Sequence, residues 1–280
     1  MRTTDNDIPA FHIAVCGGGL AAYMTAAALS RHLPPDCRLT LIVTAAPQAD
    51  AIFSGRVNTP SAYNFNLSIG LSEPALLRGS TTAFSWGTHY QAWGSEGSDW
   101  VQGFQLPLPV LHGVQFHQYL VRQGNKALEP YLVSSTAARR GAFAHPPETA
   151  GHPLARAEYG YQFAPAAYSD LLSSVLDRSR LSIIKASLTA VDCVAESVRQ
   201  VRLSDGQSIS ADLFVDCTGA EGVLISRLEA GITGDRRLGA VMTENPAETL
   251  GSAVRSLTAR PFGWQAVTPL QGACAKLTMY

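Results

Sequence analysis

Residues 11–33 read FHIAVCGGGLAAYMTAAALSRHL, and this stretch decides the fold. A short apolar run meets three glycines and then a helix of small residues. Gly17 lets the chain turn sharply out of a strand. Gly19 has no Cβ, so a diphosphate can approach the backbone, and Ala22 is small enough for the helix to lie close to a sheet. The N–H groups and the dipole of the first helical turn favour negative charge there. The form is G-x-G-x-x-A, which makes Gly17, Gly18, Gly19 and Ala22 candidate dinucleotide-binding residues.

Outward from this corner, Pro34-Pro35 ends the helix, and residues 38–43, RLTLIV, form a second strand. The strand–helix–strand unit has the usual span of about thirty residues. Such units commonly close the second strand with an Asp or Glu for the ribose hydroxyls. Here the strand ends in Val43 and Thr44, which either weakens adenosine binding or passes that task to Thr44 or a backbone group. Far along the chain, the apolar run 213–215 enters Asp216-Cys217-Thr218-Gly219-Ala220. A tight turn here, with Gly219 allowing close contact and Asp216 accepting hydrogen bonds, suits a second approach to a dinucleotide. It also suits an ordinary strand–turn with a capping Asp. The two features in this order predict a flavin site.

The chain has 280 residues, 46% apolar and 15% charged, with net charge -1. That is enough for one large or two smaller domains with a sizeable core. The balanced charge gives no sign of a nucleic-acid or membrane-surface partner. Five scattered cysteines without C-x-x-C spacing argue against a disulfide framework or a zinc site, so no metal is expected. Cys16 and Cys217 end apolar runs, where a thiol acts as a small buried hydrophobe. The N-terminus carries Asp5 and Asp7 and no apolar core, and no run is long enough to span a bilayer, so a cytoplasmic protein is expected.

Between the two dinucleotide segments, residues 45–72 read as a long polar loop and 73–77 as a short helix. Residues 82–93 read as a strand, 94–109 as a Gly/Pro-rich loop, 114–127 as a helix and 139–158 as a linker. Pro165 opens a helix through residue 178. Three strands, a hairpin turn at Ser204-Asp205-Gly206-Gln207 and one strand over 208–217 follow.

Four segments carry a family resemblance: VCGGGLAAYMTAAALSR (15–31), YGYQFAPAAYSDLL (159–172), DLFVDCTGAEGVLI (212–225) and, more weakly, FGWQAVTPLQ (262–271). They resemble a glycine turn followed by W-M-T-A-A-A-L, then Y-A-Y-H-F-D-A, D-L-F-V-D-C-S-G-F and W-x-W-x-I-P of the flavin-dependent tryptophan halogenases. The resemblance implies an α/β, Rossmann-like, three-layer FAD-binding fold with an inserted, partly β substrate-side region. It places the dinucleotide core at 1–45 and 159–225, inserted elements at 46–158, and the start of a second substrate-side segment at 226–280. It also implies a separate NAD(P)H-dependent flavin reductase, oxygen and a small organic substrate, with an indole-type substrate and a halide as the family's candidates.

The departures from the family pattern bear on the reaction. The family's lysine lies in T-F-K-L-G-I-x-F; the matching stretch here is AFSWGTHY, with Ser85 at the lysine position. No lysine precedes Lys126, and a hydroxyl cannot form a chloramine. The second Trp of W-x-W-x-I-P is Ala266 and its Ile is Thr268. The family's G-E-A-T, near the flavin, becomes Gly55-Arg56-Val57-Asn58, and the Asp after Y-H-F becomes Ala164. Family members are also much longer, so the chain reads as a fragment or a degraded relative.

Among single residues, His89 has the titration range for a general base, and equally suits a hydrogen-bonded strand position. Trp86, Trp93 and Trp100 can line an aromatic pocket or pack a core. The expected function is an FAD-dependent oxidoreductase acting on a small organic substrate. A monooxygenase without halogenation and a non-catalytic flavin-binding remnant are the alternatives.

Overall fold

The computed structural model describes residues 11–45, 56–94, 97–124, 127–149, 151–228 and 239–280. In chain order the strands are β1 His12–Cys16, β2 Arg38–Val43, β3 Val57–Asn58, β4 Ala83–Ser85, β5 Gly87–Gln91, β6 Asp99–Gly103, β7 Val110–Leu111, β8 Val114–Gln115, β9 Gly160–Gln162, β10 Leu181–Lys185, β11 Leu188–Val194, β12 Ser197–Leu203, β13 Ser208–Ser210, β14 Leu213–Asp216, β15 Ala240–Pro246, β16 Arg255–Arg260, β17 Gly263–Leu270 and β18 Ala273–Met279. The helices are α1 Leu20–His32, α2 Ser61–Ser68, α3 Glu73–Gly79, α4 Phe116–Arg122, α5 Val133–Arg139 and α6 Pro165–Ser174. Contacts divide the chain into two units. The first comprises Met1–Ser54, Ser68–Leu71 and Tyr168–Arg236, and the second the remainder.

The first unit is built on a parallel sheet of order β10-β2-β1-β14. All five residues of β1 are buried, as a strand covered on both faces requires. α1 lies on one face, with Ala22, Ala26 and Ala27 buried at helical spacing. The antiparallel sheet β11-β12-β13 covers the other. There Val201 and Leu203 pack with Cys16, Ile42 and Leu224. This is a three-layer, Rossmann-like α/β arrangement. Each fully buried Val, Leu or Ile in it contributes about 1.5–3 kcal/mol.

The second unit holds a six-stranded sheet, β15-β18-β17-β16-β5-β6, antiparallel except where β16 runs parallel to β5. A small sheet, β3-β9-β4, accompanies it. Trp86 is fully buried between β4 and β5, and its core partners are Val101, Ala138, Ala157, Ala253 and Val254. Its backbone N–H donates to Ala253 at 2.7 Å and its indole N–H to the Ala142 carbonyl at 2.9 Å. Trp86 is therefore a packing residue.

Several sequence expectations are corrected. Residues 56–72 carry β3 and α2 rather than loop, while 46–55 lie outside the described residues. The expected strand over 82–93 breaks at Trp86 into β4 and β5, which join different sheets. The expected loop 94–109 contains β6, and the expected linker after residue 139 contains a 3-10 turn at Pro153–Arg156. The expected strand over 208–217 is two strands. β13 stays in the antiparallel sheet, and β14 crosses to the parallel one. Asp212 makes that crossing, since its N–H donates to the His12 carbonyl and its carboxylate accepts from the His12 N–H at 2.8 Å. β9 pairs with β3 and β4 in the second unit, so the segment from residue 159 does not join the parallel sheet directly. Among the described residues no helix is long and apolar enough to cross a membrane.

Candidate functional site

At the glycine corner, β1 lies between β14 and β2, with Cys16 in register with Asp216 and Ile42. The ends of three parallel strands therefore meet where the chain turns into α1. The close packing explains the glycines. A Cβ on Gly17, which has φ +154°, would sit 2.6 Å from the Cys217 carbonyl carbon and closer still to its oxygen. A Cβ on Gly18 would sit 2.9 Å from the Thr44 carbonyl carbon, and again closer to the oxygen. Gly17 and Gly18 thus let the corner lie against both neighbouring strand ends. Gly19 is the N-cap of α1 and offers no side-chain cap. No acidic residue stands in the first turn, and Ala22 is completely buried. The positive end of a 13-residue helix therefore faces no carboxylate of its own first turn, as a diphosphate site requires. The residues present fit a dinucleotide diphosphate.

Thr44 lies partly exposed at the end of β2, with its hydroxyl turned to the Ala45 carbonyl at 3.3 Å. Asp216 is directed inward. One carboxylate oxygen accepts from the Thr218 N–H at 3.0 Å and hydroxyl at 2.6 Å. The other accepts from the N–H groups of Leu224 at 2.9 Å and Ile225 at 3.0 Å. Burial opposes its ionisation, but these donors outweigh burial and hold the carboxyl below its ordinary value. Asp216 therefore organises the turn, and Gly219, at φ +86°, opens the 3-10 turn beyond it. Cys16 is fully buried. Burial, then the Asp216 charge, pushes its thiol up to about 12, so it stays protonated and inert at neutral pH.

In the second unit, Ser85 is fully buried. Its hydroxyl donates to the Gly87 carbonyl and accepts from the Gly87 N–H, both at 3.2 Å. The group at the expected lysine position is closed on its own turn. The His89 Nε2 lies 3.0 Å from both oxygens of Asp99, which Arg139 also binds, and Arg139 in turn pairs with Glu129. Partial burial works against ionisation of Asp99, and hydrogen bonds from His89 and Arg139 override it and lower its pKa. The structure thus gives His89 the geometry of a brace. Trp100 stacks on Tyr90 at 5.1 Å, and the Trp93 indole donates to the Leu257 carbonyl at 3.0 Å.

The structure also shows a cluster that sequence patterns did not reveal. Tyr159 and Tyr161 both donate to one oxygen of Glu73, at 2.9 and 2.6 Å. His145 meets Tyr159 at 2.7 Å, and Phe84 and Phe143 stack beside them at 4.5 Å. Burial, then the Glu73 carboxylate, raises both phenols above their ordinary values. They act as donors at neutral pH, not as bases. The only sequence cue was the pair of tyrosines in YGYQF.

A family model described as tryptophan halogenase matches residues 12–278. The chain is 24% identical over 296 residues to a tryptophan 7-halogenase from Kutzneria sp. (strain 744), covering 93% of this chain and 53% of that protein. Among solved structures, a flavin-dependent halogenase from Brevundimonas sp. BAL3 matches with TM-score 0.82 and 24% identity, over 98% of this chain and 57% of that one. A flavin-dependent halogenase from Xanthomonas campestris matches with TM-score 0.79 and 21% identity, over 97% and 56%. The chain spans about half the length of the relatives it matches.

Proposed function

The chain belongs to the tryptophan halogenase family, and from that premise we propose that it is the FAD-holding part of an oxidoreductase that uses reduced flavin and oxygen on a small organic substrate. The observation that carries the reading is the corner at Gly17–Gly18–Gly19. It packs against both neighbouring strand ends and presents a helix start with no side-chain cap. The backbone of Gly17, Gly18 and Gly19 would take the diphosphate, with Ala22 holding the helix close. Thr44 would stand at the ribose, and Gly219 would allow the second backbone approach. Asp216 keeps that second turn in shape. When bound, the flavin supplies the redox chemistry, and this chain's residues bind and orient it. A separate NAD(P)H-dependent flavin reductase and a cytoplasmic location belong to the same reading.

Whether a halide is used turns on Ser85. A buried hydroxyl bonded to Gly87 has neither the amine to form a chloramine nor a cationic donor to polarise an oxidised halogen. This favours oxygenation without halogenation. The experiment is an FAD titration followed by turnover. FAD raises the melting temperature and the protein takes on flavin absorbance, since a ligand that binds the folded state stabilises it. With reductase, NADH, oxygen, bromide and an indole, mass spectrometry shows oxygenated and no brominated product. A colourless protein with an unmoved melting temperature removes the flavin reading. A brominated indole removes the oxygenase assignment.

A further inference from the structure

His12 opens β1 and is only 7% exposed, yet it carries a titratable ring held by two other strands. Its Nδ1 lies 2.8 Å from the Ser210 carbonyl of β13, and its Nε2 lies 2.9 Å from the Thr40 hydroxyl of β2. A carbonyl can only accept, so Nδ1 carries the ring hydrogen and donates it. Nε2 of the neutral ring is then the acceptor, and the Thr40 hydroxyl donates to it. The backbone completes the arrangement. The His12 N–H donates to the Asp212 carboxylate at 2.8 Å, and the Asp212 N–H donates to the His12 carbonyl at 2.9 Å. β13 belongs to the antiparallel sheet of the first unit, and β1 and β2 belong to the parallel one. The imidazole therefore ties the last residue of β13 to two parallel strands, where Asp212 carries the chain from one sheet to the other.

This site suits the neutral ring and not the charged one. A proton on Nε2 turns it from acceptor to donor, so the Thr40 hydroxyl must reverse. Thr40 is buried, and its hydrogen then loses the acceptor that the structure gives it. The new charge is also held away from water. Two charged groups act on it: Arg38, in register with His12 on β2, opposes the charge, and Asp212 favours it. Burial is the largest influence, and the balance holds His12 below the ordinary imidazole value of about 6.5. The protonated ring is therefore better placed in water, and reaching water breaks its bond to Ser210.

We propose that His12 is an acid-released latch between the two sheets of the first unit: neutral, it holds β13 to β1 and β2, and protonated, it leaves and lets that junction open. The latch lies within the first unit and is independent of the flavin reading. Because the folded value lies below the unfolded one, the open state takes up the proton more readily. The latch is therefore complete above about pH 6.5 and weakens as pH falls from there toward the folded value.

The test compares the full chain, without added flavin, with His12→Asn, whose amide can replace the Nδ1–H donor and does not titrate. Between about pH 7.5 and about pH 5.5, wild type loses roughly 2–4 °C more melting temperature than the variant. The chain's other histidines titrate in both proteins and cancel in the difference. If the variant does not fold, wild type alone decides. Proton NMR shows the His12 ring titrating with a midpoint below about 6.5. The His12 and Asp212 backbone amides, corrected for intrinsic exchange, exchange about threefold faster or more at the lower pH. A ring midpoint at or above 6.5, an equal loss of melting temperature in both proteins, or amide exchange that does not respond to pH overturns the latch.

Discussion

The glycine corner and the Ser85–Ala266 region have departed from their family pattern to different degrees. At the corner, each small residue has a packing reason that backbone geometry enforces: Gly17 against Cys217, Gly18 against Thr44, Ala22 against the sheet. In the second unit, the position expected to hold a reactive amine holds a buried hydroxyl bonded to its own turn. Where the resemblance leads one to expect bulky residues stand Ala266 and Thr268, and where it leads one to expect an acid stands Arg56. The comparison teaches that one chain can keep the packing of its glycine corner while individual side chains elsewhere differ from the expected pattern, because the two depend on different atoms. The corner depends on the backbone and on the absence of side chains, and the reaction depends on a few side-chain identities.

The sharpest break of this comparison is Gly18→Val. Its Cβ would overlap the Thr44 carbonyl, a backbone group with no room to retreat. The expected loss is about 4 kcal/mol or more, seen as failure to fold or a collapsed denaturation midpoint. A variant with wild-type stability and undiminished FAD affinity would show the corner is looser than its packing implies. Ser85→Lys comes next. It restores the family residue at a fully buried position and removes both hydrogen bonds to Gly87. An ammonium buried there without a partner costs about 3 kcal/mol. Thermal denaturation should show that loss, and mass spectrometry should show no brominated indole. Recovery of bromination would mean the region was altered at one residue and not rebuilt.

The corner was legible in the sequence because its chemistry is local. Three glycines, a proline stop and an apolar run specify β1, α1 and β2 within one window. The Ser204–Gln207 turn was legible for the same reason. What local pattern could not supply was the sheet each strand would join. Residues 208–217 read as one strand because nothing in their alternation marks Asp212, whose role depends on His12, two hundred residues earlier. Residues 82–93 split at Trp86 because that indole is claimed by a core drawn from 101–157 and 253–254. Asp216 was seen as a possible cofactor ligand; Thr218, which donates to it twice, lies in the motif, but the Leu224 and Ile225 N–H groups that fill its other oxygen lie beyond it.

Asp216→Asn tests the second strand end at intermediate magnitude. An amide NH2 cannot accept, so one of the two doubly bonded oxygens is lost, at a cost of about 2 kcal/mol. The effect depends on pH. The folded-state value of Asp216 lies below the unfolded carboxylate value of about 3.9. Its contribution is therefore complete above the unfolded value and is lost as pH falls through the folded one. Urea denaturation should show the gap between wild type and Asn variant closing below about pH 4. A gap that stays constant to lower pH would mean the carboxylate charge contributes nothing.

The smallest expected effect is that of His89→Gln. His89 meets both oxygens of Asp99, yet Asp99 keeps Arg139 after the change, and Arg139 keeps Glu129. The side chains of Asp99 and Arg139 are each 38% exposed, so water can replace part of what the imidazole supplied. Exposed ion pairs of this kind are worth about 0–1 kcal/mol. The expected outcome is a shift within that range and unchanged turnover of any substrate the holoenzyme accepts. If turnover instead falls by an order of magnitude at unchanged stability, His89 is a base rather than a brace. The reaction chemistry of the second unit would then have been relocated to the strand after Ser85, and the contrast between a retained corner and a rebuilt reaction site would narrow to a single moved proton acceptor.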